Sequence, residues 1–204
     1  MLLKVLEFVG VVAFAASGSL VAVSKRLDFF GVCLIGVFTA IGGGVLRDVL
    51  LGITPPTSLN TWKFFTTALL TSIVVFFAHA AVRRLRREIL VLDAVGMGLF
   101  ASSGATIALD HGASSQAAML IGATTAIGGG VLRDILVNEM PLLLHRDLYA
   151  IPALIGSTVV VAWSALGLNL NTGLVVGTVS ASVLRLLALW RKWNLPAPRQ
   201  VDDG

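Results

Sequence analysis

The chain has 204 residues, of which 56% are hydrophobic and only 13% are charged, and its mean hydropathy is +0.92. A water-soluble domain of this size cannot bury so much apolar surface, so the composition excludes that class of protein. The formal net charge of +4 does not indicate nucleic-acid binding, because the basic residues cluster in a few loops between apolar runs, as they do in membrane proteins.

Seven apolar runs follow one another along the chain, and each is close to the roughly 20 residues that cross a bilayer as a helix. They lie at about 2–23, 29–51, 62–82, 89–109, 115–137, 148–168 and 172–190. The sequence therefore predicts an all-α integral membrane protein with seven transmembrane helices joined by short loops.

The polar residues of interest in the first run are Glu7, near its start, and Ser17, further along. Its length argues against a cleaved signal peptide, although Ala13-Phe14-Ala15 resembles a cleavage site. Glu7 is interpreted as an acid at head-group depth. Most hydroxyls on such helices bond their own backbone, and the alternative for Ser17 is that it lines a pore.

The second run contains three adjacent glycines, Gly42, Gly43 and Gly44, a few residues after Thr39, another hydroxyl with the same two interpretations. Each glycine disfavours a helix by roughly 1 kcal/mol relative to alanine, so the run favours a local break or kink. Broken backbone at this depth must be buried in protein or line a water-filled cavity. Close helix packing is the alternative, but one interface does not need three glycines that point in different directions.

Arg47 and Asp48 follow the glycines in a costly intramembrane position. Neighbouring residues point about 100° apart around a helix, so we expect that these two side chains do not pair and that each has another partner. They are predicted to face the interior or a pore. Structural ion pairs between parts of the chain, which can coexist with pore lining, are the alternative.

The fourth to sixth runs repeat the first three at a constant offset of 86 residues. The stretch TAIGGGVLRD occurs at 39–48 and again at 125–134. The equivalent residues of the second copy are Ser103, Thr125, Gly128, Gly129, Gly130, Arg133 and Asp134, and Asp93 stands where the first copy has Glu7. They receive the same interpretations as their counterparts.

Three runs per copy mean that the second copy enters the membrane from the opposite side, which is an inverted repeat. The predicted units are residues 1–86, residues 87–170, a seventh helix at 171–191 and a short cytoplasmic tail at 192–204. In the seventh helix, Arg185 is expected to snorkel to the interface, and the Gly173/Gly177 pair suggests close packing.

The basic residues predict the orientation, because cytoplasmic loops are enriched in Lys and Arg. One side holds little beyond Lys4 and Lys63, and the amino terminus is therefore predicted outside and the carboxyl terminus in the cytoplasm. The other side receives Lys25, Arg26, Arg83, Arg84, Arg86, Arg87, Arg146, Arg191, Lys192 and Arg199. These arginines are interpreted as topology determinants, with binding of anionic lipid head groups as the functional alternative.

No recognisable enzyme or cofactor motif is present: there is no phosphate-binding loop, no metal-spaced His/Cys set and no nucleophile elbow. We therefore expect neither an enzyme nor a bound cofactor. The architecture alone leaves a channel, a carrier of small solutes and a structural membrane protein open.

The two copies of GGGVLRD, each preceded by a helix with the pattern FAxSG, resemble the prokaryotic trimeric intracellular cation (TRIC) channels, which are also grouped as glycine transporters. The resemblance covers about residues 5–190. It implies a homotrimer in a prokaryotic plasma membrane, with a pore in each subunit for potassium, sodium and other monovalent cations, which bind only in transit. Kinked second and fifth membrane helices would line that pore, with the motif charges on or beside it. The alternative function is secondary transport of a small amino acid such as glycine.

Overall fold

The computed structural model describes residues 1–81, 85–144 and 148–195, with the side chains of 81, 85 and 86 left out of the description. Most of these residues are helical. The α-helices are α1 (Leu2–Ser24), α2 (Phe29–Leu50), α3 (Thr57–Asn60), α4 (Trp62–Ala78), α5 (Leu85–Asp110), α6 (Ser115–Leu136), α7 (Ala150–Ala165) and α8 (Leu170–Arg191). Short 3-10 turns occupy His79–Ala81 and Leu142–Leu144.

Seven of these helices correspond to the seven apolar runs, which confirms the predicted fold class. Five are long and apolar enough to span a membrane, whereas α4 and α7 are shorter apolar helices of 17 and 16 residues. The apolar run at 62–82 predicts a longer helix than α4. The α-helix ends at Ala78 and the chain continues as a 3-10 turn from His79, although the residues there remain mostly apolar. Most of the predicted basic loop at 83–87 and of the predicted tail lies outside the described residues; in the loop, the structure describes Arg87 and the backbone at 85 and 86.

The second helix of each copy begins with the same local signal. Asp28 caps α2 by accepting a hydrogen bond from the Gly31 N–H at 2.8 Å, and Ser114 caps α6 through the Ala117 N–H at 3.3 Å. Both caps satisfy a backbone donor that has no partner within the helix. The two cap positions are related by the repeat offset, so both helices start in register.

Contacts between the two copies occur in equivalent pairs, in which the counterparts of two contacting residues also contact each other. An inverted pseudo-two-fold axis requires this arrangement. A Cβ on Gly10 would meet the Phe100 ring, and one on Gly96 would meet the Phe14 ring. The two rings contact each other, with centroids 5.2 Å apart, inside the main core cluster. The pseudo-two-fold axis therefore passes near this aromatic pair.

Helix α8 lies outside the repeat and packs on the second copy. A Cβ on Gly173 would meet Trp163 of α7 at 2.8 Å, and one on Gly177 would meet the carbonyl oxygen of Gly156 at 2.8 Å. Small residues let these backbones approach closely, as the Gly173/Gly177 pair predicts. Large apolar side chains such as Phe30, Val74 and Trp190 stay exposed, which is appropriate for surfaces facing lipid.

Candidate functional site: two buried charge clusters beside a glycine crossing

The glycine runs lie where α2 and α6 cross. A Cβ on Gly43 would meet the carbonyl oxygen of Thr125 at 2.1 Å, and one on Gly129 would meet that of Thr39 at 2.2 Å. Distances this short exclude any side chain at either position. Each of these two glycines is therefore required by the close approach of the two backbones.

Both helices run without interruption through their glycines. The expectation of a broken backbone at Gly42–Gly44 and Gly128–Gly130 is therefore wrong, and the packing interpretation explains the middle glycine of each run. The partner helix is close enough that the glycines gain contacts which offset their low helix propensity. A bend of the helix axis at these points stays a prediction.

The first glycine of each run also packs against the other copy. A Cβ on Gly42 would lie 2.4 Å from a Leu132 methyl group, and one on Gly128 would lie 2.6 Å from a Leu46 methyl group. These two contacts exchange under the repeat offset. The crossing is thus built from two copies of one set of contacts.

The third glycines have different surroundings. A Cβ on Gly44 would meet only the Ser58 hydroxyl, at 3.1 Å, whereas one on Gly130 would lie 2.4 Å from the Tyr149 hydroxyl. Gly44 borders a cavity of about 20 Å³, which also contacts Glu7, Arg47 and Ser58. That volume is enough for roughly one water molecule. The crossing is open beside the first glycine run and filled beside the second.

The first-repeat cluster consists of Glu7, Arg47 and Asp48. Arg47 donates from Nη1 to the Glu7 carboxylate at 3.1 Å and from Nε to the Asp48 carboxylate at 2.8 Å. The other Asp48 oxygen accepts from the Thr57 N–H at 2.7 Å. The cluster joins α1 to α2 and fixes the start of α3, and Glu7 is its most exposed member at 13%.

The second-repeat cluster consists of Asp93, Arg133 and Asp134 and repeats this geometry. Arg133 donates to the Asp93 carboxylate at 2.7 Å and to the Asp134 carboxylate at 2.8 Å. The other Asp134 oxygen accepts from the Leu142 N–H at 2.9 Å. Arg133 and Asp93 are each 1% exposed and Asp134 is 9% exposed, so this cluster is more deeply buried than the first.

These contacts correct two expectations. Arg47 does pair with Asp48, and Arg133 with Asp134, because the long arginine side chain reaches around the helix to its neighbour. Glu7 and Asp93, expected at head-group depth, are instead the second carboxylates of the clusters. The signal that could have found them is in the sequence, since each precedes its arginine by 40 residues.

The predicted hydroxyls divide into two groups. Thr39 and Thr125 are buried and donate to carbonyl oxygens of their own helices at 2.6 Å, as the backbone-bonding interpretation expects. Ser17 accepts from Arg133 at 3.0 Å and so joins the second-repeat cluster to α1. The Ser103 hydroxyl is buried and has no hydrogen-bond partner among the described residues.

Tyr149, which no sequence motif singles out, and Arg185 lie beside the second-repeat cluster. Tyr149 is 2% exposed, and its ring lies 4.8 Å from the guanidinium carbon of Arg185. Arg185 also donates to the Leu148 carbonyl oxygen at 2.9 Å. Arg185 is 1% exposed, so the expectation that it snorkels is wrong: the ring and the carbonyl hold it in the interior.

Within the described residues, no group of three or more His, Cys, Asp or Glu side chains is placed to hold a metal ion. Each cluster instead combines one guanidinium with two carboxylates. Such a group carries a formal net charge of −1 while its charges stay largely paired.

Comparisons with known proteins match the whole membrane part of the chain. A sequence model of the family described as glycine transporter matches residues 4–80 and 90–165, one match per copy of the repeat. The inner membrane protein YadS of Escherichia coli (strain K12) is 36% identical over 200 residues, which cover 97% of this chain and 96% of YadS. A membrane protein of Deinococcus radiodurans is 40% identical over 154 residues, covering 74% of this chain and 72% of that protein.

Solved structures give the same result for the fold. A TRIC cation channel is similar with a TM-score of 0.89 and 41% identity, covering 97% of this chain and 98% of that chain. The TRIC trimeric intracellular cation channel orthologue from Rhodobacter sphaeroides has a TM-score of 0.89 and 36% identity, covering 93% of this chain and 98% of that chain.

Proposed function

This chain belongs to the glycine transporter family, which includes TRIC channels, and on that premise we propose that it is a channel for monovalent cations. The observation that carries the proposal is the similarity over nearly the full length of both chains to a structure described as a cation channel. The proposal adds that potassium is the main permeant ion, with sodium permeant as well.

We propose that the ion pathway runs inside each subunit, along the crossing of α2 and α6. Two features support this route. The charged clusters lie at the carboxyl-terminal ends of these antiparallel helices, so each half of the membrane has one cluster. The small cavity at Gly44 lies directly against the first-repeat cluster. A bend of α2 and α6 at the glycines, without loss of helical hydrogen bonds, would widen the route.

The proposed assembly is a homotrimer in a prokaryotic plasma membrane. The support is the trimeric description of the Rhodobacter sphaeroides orthologue and the inner-membrane description of YadS. The proposed orientation places the amino terminus outside, because Lys25, Arg26 and Lys192 then face the cytoplasm. Basic residues of that side are proposed to contact anionic lipid head groups.

A second candidate function is secondary transport of a small amino acid such as glycine. The observation that favours it is the description of the family itself. Inverted repeats serve carriers as well as channels, so the architecture is compatible with both.

Purified protein in planar bilayers under a potassium chloride gradient tests the two functions against each other. A channel gives discrete current steps whose reversal potential lies toward the potassium equilibrium value. The matched pair of variants is Asp48→Asn, in the first-repeat cluster, and Asp110→Asn, at the exposed end of α5. We expect a reduced current from the first and wild-type current from the second. Saturable glycine uptake by proteoliposomes without current steps would instead favour the carrier.

A further inference from the structure

The two clusters are chemically equivalent but have different neighbours. Each contains one guanidinium and two carboxylates, hence a formal net charge of −1. Beside the first-repeat cluster is a cavity that Glu7 lines, and the Glu7 side chain is 13% exposed. Beside the second-repeat cluster is the Tyr149 ring, with Arg185 on its other side. The repeat itself therefore does not determine the electrostatics of the two ends.

Arg185 is a buried cation whose direct contacts are uncharged. Its Nη1 donates to the Leu148 carbonyl oxygen, and its guanidinium lies over the Tyr149 ring. Among the described residues, no carboxylate forms an ion pair with it, and its Nε and Nη2 have no hydrogen-bond partner. A nearby opposite charge lowers the energetic cost of burying such a cation.

Tyr149 contacts Arg185 and also lies beside the second-repeat cluster, which carries the opposite charge. A Cβ on Gly130 would lie 2.4 Å from the Tyr149 hydroxyl and 3.6 Å from a carboxylate oxygen of Asp93, so the phenol is close to that carboxylate. Tyr149, Asp93 and Arg185 are each at most 2% exposed, so solvent screens the interactions between them only weakly. Arg185 comes from α8, outside the repeat, so the first copy has no equivalent residue. Lys4 is the further cation within range of Glu7, but it is exposed and hence screened by solvent.

We propose that Arg185 is the fixed cation that neutralises the second-repeat cluster, so that the two ends of the ion pathway carry different net charge and the channel rectifies. Cations concentrate at the first-repeat cluster, whose charge is uncompensated, and less at the second. This inference rests on the proposed cation channel. It assigns to α8 a role in ion flow in addition to packing.

The test is the current–voltage relation of patches excised from giant bacterial spheroplasts, where the cell fixes the orientation of the protein. Currents are compared at equal positive and negative voltages in symmetrical potassium chloride. Arg185→Gln leaves the second-repeat cluster at a net charge of −1. We expect the current carried by cations entering from that end to rise at least about twofold relative to the opposite direction.

Three further variants separate charge from shape. Arg185→Lys keeps the charge and is expected to keep wild-type rectification. Arg191→Gln removes the same charge from an exposed position on the same helix and is the matched control, with no shift expected. Adding Asp93→Asn to Arg185→Gln makes the second cluster neutral again, so the rectification ratio is expected to return toward the wild-type value.

The possible results distinguish failure of this inference from failure of the proposed channel function. A conducting Arg185→Gln channel with wild-type rectification would overturn this inference alone, as would equal shifts from Arg185→Lys and Arg185→Gln. Absence of current from the wild-type protein would overturn the proposed channel function. If Arg185→Gln does not assemble, Glu7→Gln tests the same asymmetry from the other end. It must move the current ratio toward unity, in the same direction as Arg185→Gln, because it lowers the current of cations entering from the first-repeat end, and an unchanged ratio would contradict the inference.

Discussion

Asp48 and Asp134 each connect a membrane helix to the loop that follows it. One carboxylate oxygen accepts from the neighbouring arginine, and the other accepts from a backbone N–H eight or nine residues further along the chain. Both oxygens of a buried carboxylate are thereby satisfied. The same side chain contributes charge to the cluster and holds the loop.

Replacing Asp48 or Asp134 with asparagine is therefore expected to lower stability as well as cation current. The amide keeps one acceptor but leaves the arginine with one carboxylate fewer. Removing one member of a buried ion pair costs about 3–5 kcal/mol. Thermal unfolding of the purified protein in detergent measures this loss. A variant with wild-type unfolding temperature and wild-type current would show that neither role belongs to the carboxylate.

Arg47 and Arg133 show what could be predicted at this scale and what could not. The duplicated motif identifies both arginines and both neighbouring aspartates as intramembrane charges. Their mutual pairing could not be predicted from helical angles, because these describe Cα–Cβ directions and not the reach of a long side chain. Burial of Arg185 likewise depends on the Tyr149 ring. The sequence of α8 does not show that this ring packs against it, because the contact is tertiary.

At the scale of the element, α2 and α6 keep regular helical hydrogen bonds through three glycines because the partner helix replaces the missing side chains. Apolar runs were sufficient to predict the membrane helices. Continuity through the glycines could not be predicted, because propensity alone favours a break, and the compensating contacts come from the other copy of the repeat, distant in sequence. Tertiary packing decides such cases.

Gly43→Ala and Gly44→Ala are matched substitutions that distinguish packing from propensity. The Gly43 methyl group would lie 2.1 Å from the Thr125 carbonyl oxygen, so the helices must separate, and we expect a loss of about 1–3 kcal/mol. The Gly44 methyl group would meet only the Ser58 hydroxyl, which can rotate, and α2 gains helix propensity. We therefore expect Gly44→Ala to unfold near the wild-type temperature. Equal destabilisation by both substitutions would contradict the crossing described above.

At the scale of the whole molecule, alternating helices place the α1–α2 turn and the segment after α6 on one face. An ion pair between Lys25 and Glu139 joins these two segments directly. That contact fixes which loops share a side, whereas the charge distribution predicts which side is cytoplasmic.

Single cysteines in a Cys33→Ala background test this orientation with an impermeant thiol reagent in intact cells. We expect labelling at positions 1, 112 and 167 and protection at positions 25 and 192, because Lys and Arg are retained in the cytoplasm. The parent Cys33→Ala protein is the unlabelled control. Labelling at position 25 with protection at position 112 would reverse the predicted orientation.

The contact of Gly10 with Phe100 is equivalent to the contact of Gly96 with Phe14 under the repeat, and this equivalence has a consequence for how the molecule can be assembled. The two copies contact each other through equivalent surfaces related by a pseudo-two-fold axis. Such an interface does not require that the two copies belong to one polypeptide. Residues 1–84 and 85–204, expressed as separate chains in one cell, are therefore expected to associate and conduct. Co-purification of the two fragments measures this complementation, and Gly43→Ala in the first fragment should weaken it. An ancestor made of half-length chains inserted in both orientations would have used the same contacts.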